Sequence, residues 1–155
     1  MSRASGPRAW PVRPHRGILS GWGVSRADGA RRHGGIDLGA LPGDAIVAMD
    51  DGVVPHRVSA FQIGAGLQAV AIRHSDADYL YTEIKLREGL AAGQRVQRGE
   101  QIGTATKNGD GNSMLPLEAW TAGKAPRGFV PWIAGDPPPA GMLDVGAIVA
   151  TITPP

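Results

Sequence analysis

The sequence predicts an all-β domain, an antiparallel sandwich or partly closed barrel, and three observations carry that expectation. Of 155 residues, 23 are Gly and 13 are Pro, so about a quarter of the chain resists regular helix, while 42% is apolar. The apolar runs are short, β-branched or aromatic, and separated by Asp, Ser and Gly clusters that read as turns. No run approaches the roughly 20 residues of a membrane span, and helical periodicity is never sustained. A helical bundle and a membrane protein are therefore both excluded as expectations. A chain of this length buries a core without staples. The absence of Cys removes disulfides, thiolate zinc sites and Cys nucleophiles together, so any metal would rest on His and carboxylate ligands.

The elements follow in order. Residues 1–16 form a Pro-rich basic arm, and residues 17–23 read as a short strand entering a glycine turn. Residues 26–44 look like loop, with glycines at 29, 34, 35, 39 and 43. Strand signals then come quickly at residues 45–48, 52–58, 67–74 and 79–86. Residues 93–103 read as a glycine-punctuated hairpin with Val96 and Ile102 turned inward. The turn Asn108-Gly109-Asp110-Gly111 precedes a strand over residues 113–121. Five prolines in residues 123–140, with Phe129 and Trp132, predict an extended loop, and residues 142–152 regain apolar character and are expected to pack back on the domain. The division is thus an arm at 1–16, a core domain at 17–122 and a C-terminal segment at 123–155.

Charge is unevenly placed. Residues 1–32 hold seven Arg against the single acid Asp28, giving +6, and the remainder holds nine basic and thirteen acidic residues, giving −4. The arm has no Lys, little aromatic interleaving and no nucleic-acid motif, so it reads as a solvated or partner-docked segment rather than a nucleic-acid interface. Termini this rich in Pro fray unless held, which predicts a neighbouring chain, including a second copy in a homo-oligomer, against the arm. The opening residues lack the apolar stretch of a secretory signal.

The sharpest chemical feature is His33-Gly34-Gly35-Ile36-Asp37. An imidazole and a carboxylate four residues apart, with small residues between, can turn toward one cation or simply bond to each other across a loop. His74 at a strand end, His15 in the arm and His56 after Pro55 have no partner at ligand spacing. Trp22 and Trp120 read as packing residues. Phe129 and Trp132, in the Pro-rich loop, are candidates for stacking on a sugar or anchoring a protein, or for capping the end of the barrel.

In sequence order, Ser20-Gly21-Trp22-Gly23-Val24-Ser25-Arg26, then His33 to Asp37, then residues 43–54, resemble the opening of the lysostaphin/LytM-type zinc endopeptidases, which cut peptide cross-links in bacterial peptidoglycan. Residues 93–103 are similar to that family's hairpin, and the resemblance spans roughly residues 17–121. It implies a barrel-sandwich of antiparallel strands, the duplicated hybrid motif, with an open groove on one face, and it places His33 and Asp37 on two of three zinc-ligand positions. The family's strand His-Leu-His-Phe-Glu matches Met114-Leu115-Pro116-Leu117-Glu118, so Met114 stands at a catalytic His and Pro116 at the third ligand. The family's Tyr-Ala-His-Leu matches Tyr81-Thr82-Glu83-Ile84, so Glu83 stands at the other catalytic His.

Strand alternation puts Met114, Pro116 and Glu118 on one face and Leu115, Leu117 and Ala119 on the other. Catalytic zinc needs three protein ligands and a water, and Met114 and Pro116 supply neither ligand nor base. The expectation is an inactive relative without a cofactor, with a structural or cell-wall-contacting role and peptidoglycan or neighbouring chains as partners. The alternative is an active zinc endopeptidase that uses Glu118 or Glu83 as the substitute ligand. A biotinyl or lipoyl carrier is disfavoured, because Lys85, Lys107 and Lys124 do not sit at a hairpin tip. A wall-active fold without an export signal further suggests a chain carried to the wall by a larger machine, as a virion component of a phage tail or part of an injection device.

Overall fold

The computed structural model describes residues 7–58 and 66–153, and short antiparallel strands dominate them. The first half holds β1 (Val12–Arg13), β2 (Ile18–Ser20), β3 (Ser25–Arg26), β4 (Arg31–Arg32), β5 (Ile36–Gly39), β6 (Ala45–Val47), β7 (Gly52–Val53) and β8 (Arg57–Val58). The second holds β9 (Gln68–Arg73), β10 (Asp78–Leu86), β11 (Arg95–Val96), β12 (Gln101–Ala105), β13 (Met114–Trp120), β14 (Trp132–Ile133), β15 (Met142–Leu143) and the single turn-and-a-half helix α1 (Val145–Val149). The all-β expectation holds. No helix among the described residues is long and apolar enough to cross a membrane.

One sheet runs β1-β6-β12-β10-β13-β5-β2, with β9 also on β10, β7 and β8 on β9, β11 on β7, and β15 on β13. A smaller sheet, β14-β4-β3, stands beside it. Every described pairing is antiparallel. The main core fills from one face of the central strands, and a second, smaller cluster of Ala69, Ala71, Leu80, Trp120, Trp132 and Met142 fills from the other. Ile36, Leu38, Ile46, Ile72, Tyr81, Ile84, Leu115 and Leu117 are at most 1% exposed. Burial of each such side chain is worth roughly 1.5–3 kcal/mol, which is what holds strands this short in register.

Several local expectations change. Residues 26–44 are not plain loop, because β4 and β5 lie inside them. The glycines there misled, since Gly35 serves close approach rather than a turn. A Cβ on it would collide with the Leu117 carbonyl oxygen and reach Glu118 Cγ at 3.0 Å. The predicted hairpin of residues 93–103 is also revised, since β11 pairs with β7 while β12 pairs with β6 and β10. Val96 and Ile102 nevertheless point inward, at 2% and 0% exposure. The Pro-rich stretch after residue 122 is extended as expected, except that Trp132–Ile133 joins β4 as β14. The tail does pack back. α1 is capped at Asp144, whose carboxylate accepts from the Ala147 amide at 3.0 Å, and it buries Val145 and Val149.

The arm is docked on its own domain from residue 8 onward. β1 pairs with β6, Trp10 and Val12 join the core, and Arg8 reaches both Asp76 (2.5 Å) and the Tyr79 hydroxyl (3.1 Å). Arg16 binds Asp44 through two nitrogens, at 2.6 and 3.2 Å. Alternating apolar residues in the arm, Trp10 and Val12, supply the burial that its charge pattern concealed.

Candidate functional site

The groove is shaped by β13 lying between β5 and β10. The β5–β13 register sets Met114 opposite Gly39, Leu115 opposite Leu38, Pro116 opposite Asp37 and Leu117 opposite Ile36. The burial of β13 alternates as expected. Leu115, Leu117 and Ala119 are fully buried, while Met114, Pro116 and Glu118 are half-buried and line the groove. On its other edge β10 follows β13 only from Asp78 to Tyr81, then pairs with β12 from Ile84 onward. The strand must bulge between these partners. Thr82 donates its hydroxyl to the Pro116 carbonyl at 2.9 Å, and Glu83 adopts φ +54°, a left-handed conformation costly for a non-glycine residue.

His33 and Asp37 meet, as their spacing allowed. His33 Nδ1 lies 3.0 Å from the Gly21 carbonyl oxygen and 3.2 Å from Arg26 Nη2. Nε2 faces Asp37 Oδ1 at 3.3 Å and donates to that carboxylate oxygen, which can only accept. The other carboxylate oxygen, Oδ2, accepts from Arg26 Nη2 at 2.7 Å, and the same nitrogen donates to Ser20 Oγ at 2.8 Å. Burial alone would raise the Asp37 carboxyl. The bond to His33 and its charge, then those of Arg26, outweigh burial and hold it below the usual carboxylate range. Both members of the pair are thus oriented from behind, by a backbone carbonyl and by a guanidinium.

The arrangement supplies two metal-ligand atoms and stops there. The strand position facing Asp37 is Pro116, which has no ligating side chain. Among the described residues no group of three His, Cys, Asp or Glu side chains lies close enough to hold a metal ion. The residues present fit half of a zinc site and not a catalytic zinc centre, which takes three protein ligands and a water.

The two candidate substitutes stand apart from the pair. Glu118 Oε1 accepts from its neighbour Trp120 Nε1 at 2.9 Å. Burial pushes its carboxyl up to about 7, against the opposing pull of Trp120 and His33. Glu83 is also pushed up to about 7, first by burial and then by the negative charges of Asp37 and Asp110. Its Oε1 is buried with no hydrogen-bond partner among the described residues.

The groove encloses a cavity of about 570 Å³, whose walls include His33, Asp37, Glu83, Asp110, Arg31 and Phe129. The two aromatic candidates separate here. Phe129 is 54% exposed, with the Arg31 guanidinium 5.4 Å over its ring, whereas Trp132 is only 7% exposed. Trp132 packs against Trp22, with ring centroids 4.7 Å apart and planes tilted by 42°, and donates Nε1 to the Asp136 carbonyl, so it builds the groove wall as a packed residue rather than an exposed ring. Sequence reasoning left Arg26, Arg31 and Asp110 without roles. Arg26 lay inside a quoted motif, but no spacing rule linked it to Asp37.

Comparison with known proteins agrees with this architecture. Peptidase family M23 matches residues 31–127, well over half of the chain. Among solved structures, Csd3 of Helicobacter pylori is 24% identical over 74% of this chain, with a TM-score of 0.55, and the match spans 32% of that longer protein. A zinc-containing peptidase from Vibrio cholerae is 23% identical over 74% of this chain and 37% of its own, with a TM-score of 0.58. The catalytic domain of lysostaphin from Staphylococcus simulans is 14% identical over 88% of this chain and 92% of its own, with a TM-score of 0.60. No curated protein matches the sequence. The chain belongs to peptidase family M23, a family of zinc metallopeptidases acting on peptidoglycan.

Proposed function

We propose that this chain is a peptidoglycan-binding module that keeps the family's groove but does not cut by the family's zinc chemistry. The observation that carries this reading is the register of β13 against β5, which sets Pro116 where a third ligand would have to face Asp37. With two ligands, a bound zinc would be weakly held and would exchange with solvent. Met114 and Glu83, at the remaining catalytic positions, offer a thioether and a carboxyl in place of two imidazoles. The groove itself is intact, with its floor of half-buried side chains and the Phe129 rim. Purified sacculi test the reading directly. The protein should pellet with them and release no new amines, and added zinc should not change that, while an active family member releases amines from the same preparation. Zinc-dependent release that survives Glu83→Ala and Glu118→Ala would overturn the proposal. Release lost in one of those variants would instead establish the second reading, in which that carboxylate completes the metal site. The specific observation in favour of the second reading is the unpartnered Glu83 Oε1 inside the same groove.

A further inference from the structure

Glu83 is the residue on which the local structure spends most without an internal return. It holds a left-handed backbone conformation inside a strand, which is costly for a non-glycine residue. Its Oε1 is buried and unpartnered among the described residues, although burying a carboxyl without a partner is costly. It lines the groove, as does Asp110, whose negative charge acts on it. Asp37, the third acid nearby, already answers to Arg26 and His33, so it adds field without being free to bind. The same groove also carries the opposite sign, through Arg31. Arg31 is held over Phe129 by a cation–π contact and has no acidic partner among the described residues. One groove therefore carries an anionic pole and a cationic pole, each with unspent charge.

The family's chemistry gives that polarity a meaning. A cross-link is an amide and carries no charge at the junction. The unjoined ends are an ammonium and a carboxylate, each able to form charge-assisted hydrogen bonds about twice as strong as neutral ones. We propose that the groove binds unjoined peptide ends in preference to joined ones, with a free primary ammonium at Glu83 beside Asp110 and a free carboxylate at Arg31. This rests on the reading of the groove as a peptide site that does not cut. It makes the chain a reader of open positions in the wall, and it assigns specificity to Glu83 and Arg31.

Calorimetry with a short probe tests it. The probe is Nα-acetyl-lysyl-alanyl-alanine, compared with the same peptide acetylated on the side-chain amine and with the same peptide amidated at the C-terminus. Blocking the amine should weaken binding at least tenfold, and blocking the carboxylate should weaken it several-fold. Glu83→Gln should erase the first difference and Arg31→Gln the second, with Asp110→Asn reducing the first without erasing it. Melting curves confirm that each variant is folded, and Asp110→Asn, in an exposed turn, keeps the amine arm readable if Glu83→Gln unfolds. Equal affinity for free and blocked peptides, an amine preference that survives both acid variants, or no binding of any probe by protein that does bind sacculi would overturn the proposal. Cleavage of sacculi would instead overturn the non-cutting reading and leave the peptide preferences measurable, so the two failures are distinguishable.

Discussion

Replacing Arg26 with Met tests the physical core of the site. Asp37 has a side chain only 10% exposed, and its Oδ2 accepts from Arg26 Nη2 at 2.7 Å. Met keeps much of the stem's volume and removes the charge, leaving a buried carboxylate with one donor fewer. Hydrogen bonds to charged groups are worth about 1.5–3 kcal/mol, and the 35% exposure of the Arg26 side chain argues for the lower half of that range. Arg26→Met should therefore cost about 2 kcal/mol, or roughly 4–8 °C in Tm for a domain of this size. Asp37→Asn removes the charge that needs a partner. In a double-mutant cycle the combined variant should then be less destabilised than the sum, with a coupling of at least about 1 kcal/mol.

The pH dependence follows with a definite sign. The folded carboxyl titrates below its unfolded value, so its stabilising contribution is present above about pH 4 and is lost as the solution is acidified through the lowered folded value. Without Arg26 that loss should begin at higher pH. Urea unfolding at pH 7 and at a series of values from about pH 5 down to about pH 3 reads all of this. A coupling under about 0.3 kcal/mol, with an unchanged acid limb, would refute the claim that Arg26 sets the orientation and charge of Asp37.

Three further outcomes are expected. Pro116→His combined with Met114→His puts imidazoles on the groove face beside Asp37 and should convert weak, exchanging zinc binding to a stoichiometric site by calorimetry; no gain in affinity would mean that β13 does not hold the third ligand position. Glu83→Gln should change the pH profile of stability: the folded carboxyl is pushed up to about 7 from an ordinary value of 4.5, so folding favours its protonated form and stability falls as pH rises through that window. The variant should accordingly gain relative to the parent at pH 8 and gain nothing at pH 4, as read by thermal melts. Tyr81→Phe removes a fully buried hydroxyl that accepts from the Met49 amide at 3.1 Å and donates to His74 Nε2 at 2.9 Å. Both groups are left without that partner, and denaturant titration should show a loss of about 2–4 kcal/mol.

Much of the architecture was legible because β structure writes itself locally. The alternation of Met114, Leu115, Pro116, Leu117 and Glu118 already divided β13 into a groove face and a core face, and burial follows it residue by residue. Turn residues bounded β9, β10 and β13 to within a residue or two. The misreadings share one cause. Gly35 looks like a turn residue until a second strand is placed against it, and the choice left open for Trp132, exposed ring or packed cap, is decided only once Trp22 packs against it. The basic arm reads as solvated or partner-docked because charge is visible in a sequence, whereas the pairing of Val12 with Ile46 in its own domain is not.

The candidate site divides in the same way. His33, Asp37 and the substitutions at Glu83, Met114 and Pro116 could be named from order and spacing alone, since they depend on residue identity along one chain segment at a time. What required the tertiary structure was every relation between segments. Pro116 faces Asp37 because β5 and β13 pair in one register, Arg26 holds Oδ2 because the small sheet stands beside the large one, and Glu83 is strained because β10 must change partners beneath it. Composition and pattern determine which groups a chain possesses and which face each strand buries. Only the packing of distant segments decides which charges are satisfied and which are left facing an open groove, because electrostatic partnership depends on distance in space and not on separation in sequence.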